Sequence, residues 1–151
     1  MKSNYLFIEK DYFWEIPIAG RKVSRIVVDY ALKIQFFFPD PVGGEETEIT
    51  IEGPCHFEMD GRKYELNVGE NPTGLGPIFA IRGEIVNSAL AFKEGRLEID
   101  FVNRAKLIVM PLPKFEAWGV VGVRGLRVVC MPGGELAIWQ ADPPDTDDTF
   151  H

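Results

Sequence analysis

Apolar residues alternate with polar ones along most of the chain, and this spacing predicts β-strands. The alternation runs through residues 23–28, 32–36, 49–51, 97–101 and 107–109. Most of the apolar positions are β-branched or aromatic, and such side chains favour extended backbone. Turn signals stand between the runs, at Asp60-Gly61, Lys93-Glu94-Gly95 and Pro132-Gly133-Gly134. The pattern therefore predicts a series of antiparallel hairpins.

One segment departs from the alternation and predicts a short helix near residues 72–82. Asn71 offers a cap, Pro72 suits a first helical turn, and Gly83 offers a stop. The glycines and the proline inside the segment are poor helix residues, so the helix should be short and weak.

The chain repeats parts of its own pattern at offsets of 58 to 65 residues. The matched segments are 20–23 with 83–86, 32–36 with 97–101, Phe57-Glu58 with Phe115-Glu116, and 61–64 with 125–128. Some matches involve glycines and a Phe-Glu pair, which alternation alone does not require. Two amphipathic β-meanders of similar length also align by chance, and chance remains the alternative to a duplication.

These patterns predict a mainly β fold of about eight antiparallel strands in two similar four-stranded halves. The halves would cover residues 17–69 and 80–139 and form a sandwich or a barrel, joined by the short helix near 72–82. With 151 residues, 46% of them hydrophobic, the chain has the profile of one domain with its own core. We place that domain at residues 1–140.

The chain is acidic, with a formal net charge of −7. Because such a charge repels phosphate backbones, we expect no nucleic-acid partner. Four aspartates and no lysine or arginine fall in residues 141–151, so more than half of the net charge lies there. We predict that this segment is a disordered acidic tail.

Signals for export or membrane insertion are weak in this sequence. The apolar stretch at residues 5–8 is too short for a signal peptide, and no run approaches the roughly 18 residues of a membrane helix. We therefore expect a cytoplasmic protein with no membrane partner. In a reducing compartment, Cys55 and Cys130 should be free, buried thiols, since two cysteines complete neither a disulfide framework nor a zinc site.

Few residues offer catalytic chemistry. The chain has two histidines, His56 and His151, and nucleophilic catalysis would need one of them as a base. Cys55 and His56 are neighbours on a predicted strand, so their side chains point to opposite faces. A pairing of His56 with Cys130 stays open. No phosphate loop, dinucleotide fingerprint or calcium loop is complete. We assign no catalytic residue and expect no cofactor and no metal.

Glu58, Glu116 and Trp118 are the candidate functional residues. The repeat places Glu58 and Glu116 at equivalent positions, and a twofold arrangement that joined them would permit acid–base chemistry. Alternatively, each is an outward polar residue beside a buried Phe57 or Phe115. An exposed Trp118 would contribute strongly to an interface, whereas a buried one would close the end of a β core.

Four segments carry a resemblance to a known family: Val-Asp-Tyr-Ala at 28–31, Ile-Glu-Gly-Pro at 51–54, Phe-Glu-Ala-Trp at 115–118, and Cys-Met-Pro-Gly-Gly-Glu-Leu-Ala-Ile-Trp at 130–139. Together they resemble an uncharacterised bacterial family, carried as a domain of unknown function, from about Trp14 to Trp139. The resemblance implies a small bacterial protein, and some members look like products of polymorphic-toxin immunity loci. It implies no catalytic residue.

Our first functional expectation is a non-enzymatic protein-binding protein, an immunity protein that neutralises a cognate bacterial toxin. Toxins that attack nucleic acids or nucleotides have basic clefts, which an acidic partner would approach quickly. In this interpretation Glu58, Glu116 and Trp118 contact the partner.

Two alternatives stay open. The first is a small-molecule-binding or enzymatic β domain with a pocket between the two halves, lined by Glu58, Glu116 and aromatic residues. The second is a structural homo-oligomer, such as a homodimer that pairs exposed strand edges.

Overall fold

The computed structural model describes residues 6–37 and 47–140. The acidic tail predicted for 141–151 lies outside the described residues. Within them the chain forms thirteen strands: β1 (Ile8–Glu9), β2 (Phe13–Glu15), β3 (Lys22–Val28), β4 (Leu32–Phe37), β5 (Thr47–Ile51), β6 (Cys55–Met59), β7 (Arg62–Leu66), β8 (Val86–Phe92), β9 (Leu97–Phe101), β10 (Lys106–Val109), β11 (Trp118–Val121), β12 (Arg127–Cys130) and β13 (Leu136–Trp139).

The strands form two antiparallel sheets. One has seven strands in the order β1-β2-β8-β9-β10-β6-β7, and the other has six in the order β13-β12-β11-β5-β4-β3. The predicted mainly β, antiparallel architecture is confirmed. The predicted number of eight strands is wrong, and so is the barrel alternative, because the two sheets stay separate. The alternating runs correspond to β3, β4, β5, β9 and β10, and the remaining strands lie outside them. Residues 52–54 carry the chain from β5 in one sheet to β6 in the other.

The core lies between the sheets and takes its side chains from the inward row of each. The inward rows are apolar and almost fully buried: Ile34, Ile49 and Val120 in the six-stranded sheet, and Ile99, Leu107 and Phe57 in the seven-stranded sheet. Burial of each such side chain contributes roughly 1.5–3 kcal/mol to folding. The alternation seen in the sequence is therefore the division between core and solvent faces.

Two series of five strands have the same topology. In the six-stranded sheet, β3, β4 and β5 form a meander, and the chain then crosses to the other sheet as β6 and β7. In the seven-stranded sheet, β8, β9 and β10 form a meander, and the chain then crosses back as β11 and β12. A bulge interrupts β3 between Val23 and Arg25, and another interrupts β8 between Val86 and Ser88.

The two series meet through reciprocal main-chain hydrogen bonds. The Gly20 N–H donates to the Val86 carbonyl at 2.8 Å, and the Gly83 N–H donates to the Val23 carbonyl at 3.0 Å. Gly20 and Gly83 have nearly the same left-handed φ, 82° and 84°, which glycine adopts without steric cost. A duplication of residues 17–69 and 80–139 would produce these correspondences, and the duplication itself stays a prediction.

The strand registers correct one part of the repeat. Ile49 and Leu107 lie on the third strands, β5 and β10, of their meanders. Leu107 pairs with Phe57, whereas Ile49 pairs with Val120. The counterpart of Phe57 is therefore Val120, and the alignment of Phe57 with Phe115 is wrong.

The predicted helix is present as a 3-10 helix, Pro72–Ile81. Leu75, Ile78 and Ile81 are its buried residues, and their spacing of three matches the three residues per turn of a 3-10 helix. The Asn71 side chain makes no cap hydrogen bond, so that part of the prediction is wrong. No helix in the described ranges is long and apolar enough to cross a membrane.

The predicted tight turns are confirmed. Asp60 and Gly61 link β6 to β7 with φ angles of 54° and 76°, as a two-residue hairpin turn with left-handed central residues requires. Gly95 and Gly133 also have positive φ angles, in the turns after β8 and β12.

Candidate functional site

Six connections meet at one end of the fold, and we call this region the loop end. They are residues 10–12, 29–31, 52–54, 93–96, 110–117 and 131–135. Strand pairing shows why they meet. Leu32 at the start of β4 pairs with Ile51 at the end of β5, which also pairs with Trp118 at the start of β11. The connections next to these residues therefore share one end of the six-stranded sheet.

Main-chain hydrogen bonds hold three of the connections together. The Glu52 N–H donates to the Ala117 carbonyl at 2.9 Å, and the Ala117 N–H donates to the Cys130 carbonyl at 3.3 Å. The Gly133 N–H donates to the Leu112 carbonyl at 2.8 Å. Residues 52–54, 110–117 and 131–135 are therefore fixed to one another through their backbone.

The turn at 93–96 joins the same end from the other sheet. A Cβ atom added to Gly95 would lie 2.6 Å from the Gly134 Cα atom, so the two turns pack backbone against backbone and Gly95 has no room for a side chain. The Lys93 N–H donates to the Tyr12 carbonyl at 2.9 Å, and this bond brings residues 10–12 to the same place.

The loop end carries the most exposed aromatic side chains of the described residues. Tyr30 is 94% exposed, Tyr12 is 77% exposed and Phe115 is 70% exposed. Met110, at 53% exposure, adds a further apolar side chain. Single exposed apolar residues are ordinary on protein surfaces, and here the most exposed aromatic ones share one end of the fold.

Acidic residues outnumber basic ones on these loops, with six carboxylates against three lysines and one arginine. Glu52, Glu116 and Glu135 are exposed to solvent. The Lys33 Nζ atom lies 2.9 Å from an Asp29 carboxylate oxygen, and this hydrogen bond, with one from the Ala31 N–H, lowers the pKa of Asp29. The loop residues thus carry a net negative charge.

A cleft of about 590 Å³ lies within the loop end. Its lining includes Glu52, Leu112, Lys114, Phe115, Glu116 and Pro132. The cleft thus combines an aromatic ring, two carboxylates and one ammonium group. Side chains of this kind can contact a lysine or arginine side chain through both the ring and the carboxylates.

Glu58 does not lie at this end. It is on β6 in the seven-stranded sheet, where its register partners are Lys63 on β7 and Lys106 on β10. The His56 Nε2 atom is 3.3 Å from a Glu58 oxygen, and His56 Nδ1 contacts Glu65. Glu58 is therefore part of a mixed-charge sheet face.

The predicted meeting of Glu58 and Glu116 is not observed, because Glu58 lies on β6 of the seven-stranded sheet and Glu116 lies in the connection between β10 and β11. Glu58 corresponds by register to Val121, and Glu116 belongs to the long connection before β11. Phe57 is fully buried, as expected beside Glu58, whereas Phe115 is largely exposed. The prediction that Phe115 is buried is wrong.

Trp118 is 1% exposed, so its side chain supports the loop end from below and offers no contact surface. Its indole N–H donates to the Gly95 carbonyl at 2.9 Å. The bond joins β11 of one sheet to the β8–β9 turn of the other. The core interpretation of Trp118 therefore replaces its interpretation as a partner contact.

Both cysteines are free and buried, as predicted. Burial raises the pKa of Cys55 to about 12 and also raises the pKa of Cys130. Cys130 Sγ lies 3.4 Å from the Gly95 carbonyl oxygen, whereas His56 contacts Glu58 and Glu65 on an outer sheet face, so the structure does not bring Cys130 and His56 together. Among the described residues no group of three or more His, Cys, Asp or Glu side chains could hold a metal ion.

The sequence reasoning did not select Tyr30, Tyr12, Glu52 or Phe115. Tyr30 follows Asp29 in the short connection between two alternating runs, and residues in such a turn face solvent. Phe115 follows Pro111 and Pro113, and prolines exclude the central strand that would have buried it. Both signals were present in the sequence.

Comparison of the sequence with models of protein families identifies the family of this chain. The model of a family of unknown function (DUF6188) matches residues 14–140. The chain belongs to this family. No curated protein and no solved structure matches the chain.

The DUF6188 match covers almost the same residues as the resemblance noted in the sequence. All four segments that carried the resemblance reach the loop end. Residues 28–31 form its β3–β4 turn, 51–54 and 115–118 contribute two further connections, and 130–139 begins with the β12–β13 turn.

Proposed function

We propose that this chain is a non-enzymatic protein-binding protein, specifically an immunity protein that binds and neutralises a cognate bacterial toxin through its loop end. One observation carries the proposal. The three most exposed aromatic side chains of the described residues, Tyr12, Tyr30 and Phe115, lie on one end among excess carboxylates. Aromatic anchors surrounded by polar groups are the usual composition of an energetically important interface.

The aromatic residues of the loop end contribute little to folding. At 94% and 70% exposure, Tyr30 and Phe115 leave most of their apolar surface in water. Covering this surface with a partner would release the hydrophobic free energy that folding does not use. These residues therefore favour association over a role in stability.

The charge of the loop end favours a basic partner. Glu52 and Glu116 line the cleft together with Phe115, and among the described lining residues Lys114 is basic. A toxin that cuts nucleic acids or nucleotides needs a positively charged cleft. Charge complementarity would accelerate its association with this surface.

The proposed contacts differ from those expected from the sequence alone. Glu116 remains a proposed partner contact, and the structure adds three more candidates, Tyr30, Phe115 and Glu52. Glu58 is left out because lysines and His56 surround it on a sheet face, and Trp118 is left out because it is buried.

Affinity capture with a surface variant tests the proposal. Tagged wild-type chain, a Tyr30→Ala/Phe115→Ala double variant and a Phe79→Ala control are incubated with lysate of the source bacterium, and retained proteins are identified by mass spectrometry. Phe79 is a matched control because its ring is 48% exposed on the 3-10 helix. We expect one stoichiometric, basic protein to bind the wild type and the control but not the double variant.

Co-expression then separates immunity from binding alone. The captured protein should arrest bacterial growth when expressed by itself, and growth should return when this chain is co-expressed. A captured protein that does not affect growth contradicts the immunity proposal and leaves protein binding. If nothing is retained, the small-molecule alternative takes precedence, starting from a second cleft of about 320 Å³ lined in part by Ile16, Arg21 and Leu90.

A further inference from the structure

Two equivalent connections differ greatly in length. Each leaves the third strand of a meander and enters the first strand of the following hairpin in the other sheet. The connection from β5 to β6 is residues 52–54, and the connection from β10 to β11 is residues 110–117. Three residues are thus enough for the crossing, and the second connection has five more than the fold needs.

The additional residues add little to the core. Pro113, Lys114, Phe115 and Glu116 are four consecutive exposed residues, and the Phe115 ring is 70% exposed. Connections in compact domains have a median length of about 4–6 residues, and exposed loops on a rigid scaffold often carry binding residues.

The connection is held firmly at both sides of this exposed stretch. On one side, the Leu112 carbonyl accepts the Gly133 N–H, and a Cβ atom added to Gly53 would lie 2.8 Å from the Leu112 side chain. On the other side, buried Ala117 uses both its N–H and its carbonyl in main-chain hydrogen bonds to Cys130 and Glu52. A loop fixed in this way loses little entropy when it binds.

The charges around the exposed ring define the chemistry that it fits. Phe115 shares the cleft of about 590 Å³ with Glu52 and Glu116. A lysine or arginine side chain that enters this cleft would find an aromatic ring and two carboxylates among its lining residues. An acidic or purely apolar partner would leave these carboxylates without a counter-charge.

We infer that residues 110–117 are the specificity-determining element of the loop end. Phe115 enters a recess in a basic protein surface, where Glu52 and Glu116 contact lysine or arginine side chains of the partner. The inference rests on the proposed function and names the part of the surface that selects the partner.

The test compares loop variants for binding to the captured partner by calorimetry. In the loop variant, residues 113–116 change as Pro113→Ser, Lys114→Gly, Phe115→Ser and Glu116→Gly, which leaves Leu112 and Ala117 in place. The control is Val102→Ser, because Val102 is 60% exposed in the turn at the opposite end. We expect the loop variant to bind at least about 30-fold more weakly, the control to bind like the wild type, and both to keep the wild-type Tm within a few degrees.

A second measurement needs no natural partner. A hexa-arginine peptide is titrated into 15N-labelled chain and observed by NMR. We expect shift changes centred on residues 52–53 and 112–117, reduced several-fold by Glu52→Gln/Glu116→Gln and unaltered by Glu58→Gln/Glu65→Gln. The control pair lies on the seven-stranded sheet, where both carboxylates contact His56.

The outcomes separate the inference from the proposed function. If the wild type binds its partner and the loop variant binds within threefold of it, the inference is overturned and protein binding stands. The same conclusion follows if the peptide shifts centre on the sheet face of Glu58 and Glu65. If the wild-type chain binds no protein, the inference and the proposed function are both overturned.

Discussion

The two ends of this fold are built from different kinds of connection. At the end opposite the loop end, which we call the turn end, the connections are residues 16–21, 60–61, 82–85, 102–105 and 122–126. They hold most of the left-handed backbone of the described chain: Gly20, Asp60, Gly61, Gly83, Arg104, Arg124 and Gly125. The loop end has left-handed glycines at 95, 133 and 134, together with Tyr12, Tyr30 and Phe115, which face solvent.

The difference separates residues that the fold requires from residues that are available for binding. Each connection of the turn end contains left-handed residues, so backbone geometry constrains its sequence. One connection of the loop end, residues 110–117, is longer than any at the turn end, and it exposes an aromatic and an acidic side chain, Phe115 and Glu116. Changes at the turn end should therefore alter stability, and changes on the surface of the loop end should alter binding.

The largest expected effect comes from Trp118, the buried support of the loop end. Trp118→Ala removes a side chain that is 1% exposed and its hydrogen bond to Gly95, and we expect a loss of about 3–5 kcal/mol in unfolding free energy. Urea denaturation followed by circular dichroism measures it. A loss below about 1 kcal/mol would mean that Trp118 is not part of the core.

Phe115, three residues away, should behave in the opposite manner. Phe115→Ala should change the unfolding free energy by no more than about 0.5 kcal/mol, because the ring is 70% exposed. It should weaken partner binding by about 2 kcal/mol, as expected of an aromatic hot spot. Denaturation and calorimetry on the same sample give the unfolding and binding free energies. A large loss of stability with intact binding would show that Phe115 is a core residue and not a contact residue.

Gly20 and Gly83 test the turn end and its internal correspondence. Both have a φ near 83° and open space where a Cβ atom would lie. An alanine would therefore cause no clash and would cost only the strain of a left-handed backbone. We expect Gly20→Ala and Gly83→Ala each to lower stability by about 1–2 kcal/mol, with nearly equal values and no change in binding. Clearly unequal losses of stability would mean that the two glycines share a backbone conformation but do not contribute equally to stability.

The smallest expected effect is kinetic. Glu116→Lys should slow association with a basic partner several-fold at low salt and less at high salt, because the steering of exposed charges is screened. Glu58→Lys is the matched control, since it makes the same charge change on the seven-stranded sheet. Stopped-flow or surface-plasmon association rates compare the two variants. Equal rates for both would assign the effect to net charge and not to the loop end.

Local signals in the sequence predicted the strands and turns but not their assignment to sheets. Asp60-Gly61 predicts a tight hairpin, and the turn is present with the expected left-handed backbone. Pro54 follows Gly53 just where the chain leaves one sheet for the other, but a crossing and a bend within one strand have the same residue pattern. Sheet membership depends on packing between distant strands, which periodicity does not encode.

The candidate site was harder to predict for the same reason. Glu58 and Glu116 were paired by aligning two Phe-Glu dipeptides, whereas strand register places Glu58 opposite lysines and Glu116 in an extended connection. The loop end consists of six short segments that are far apart in sequence. Their meeting follows from strand direction in two sheets, so it could be recognised only once the topology was known.

Hydrogen–deuterium exchange of the chain with and without its captured partner tests the central claim most directly. The method reports which backbone segments a partner covers and requires no substitution. We predict slower exchange in the complex at residues 29–31, 52–54 and 112–117, and unchanged exchange at 60–61, 83–85 and 102–104. Protection confined to the turn end or to a sheet face, with the loop end unchanged, would contradict the account.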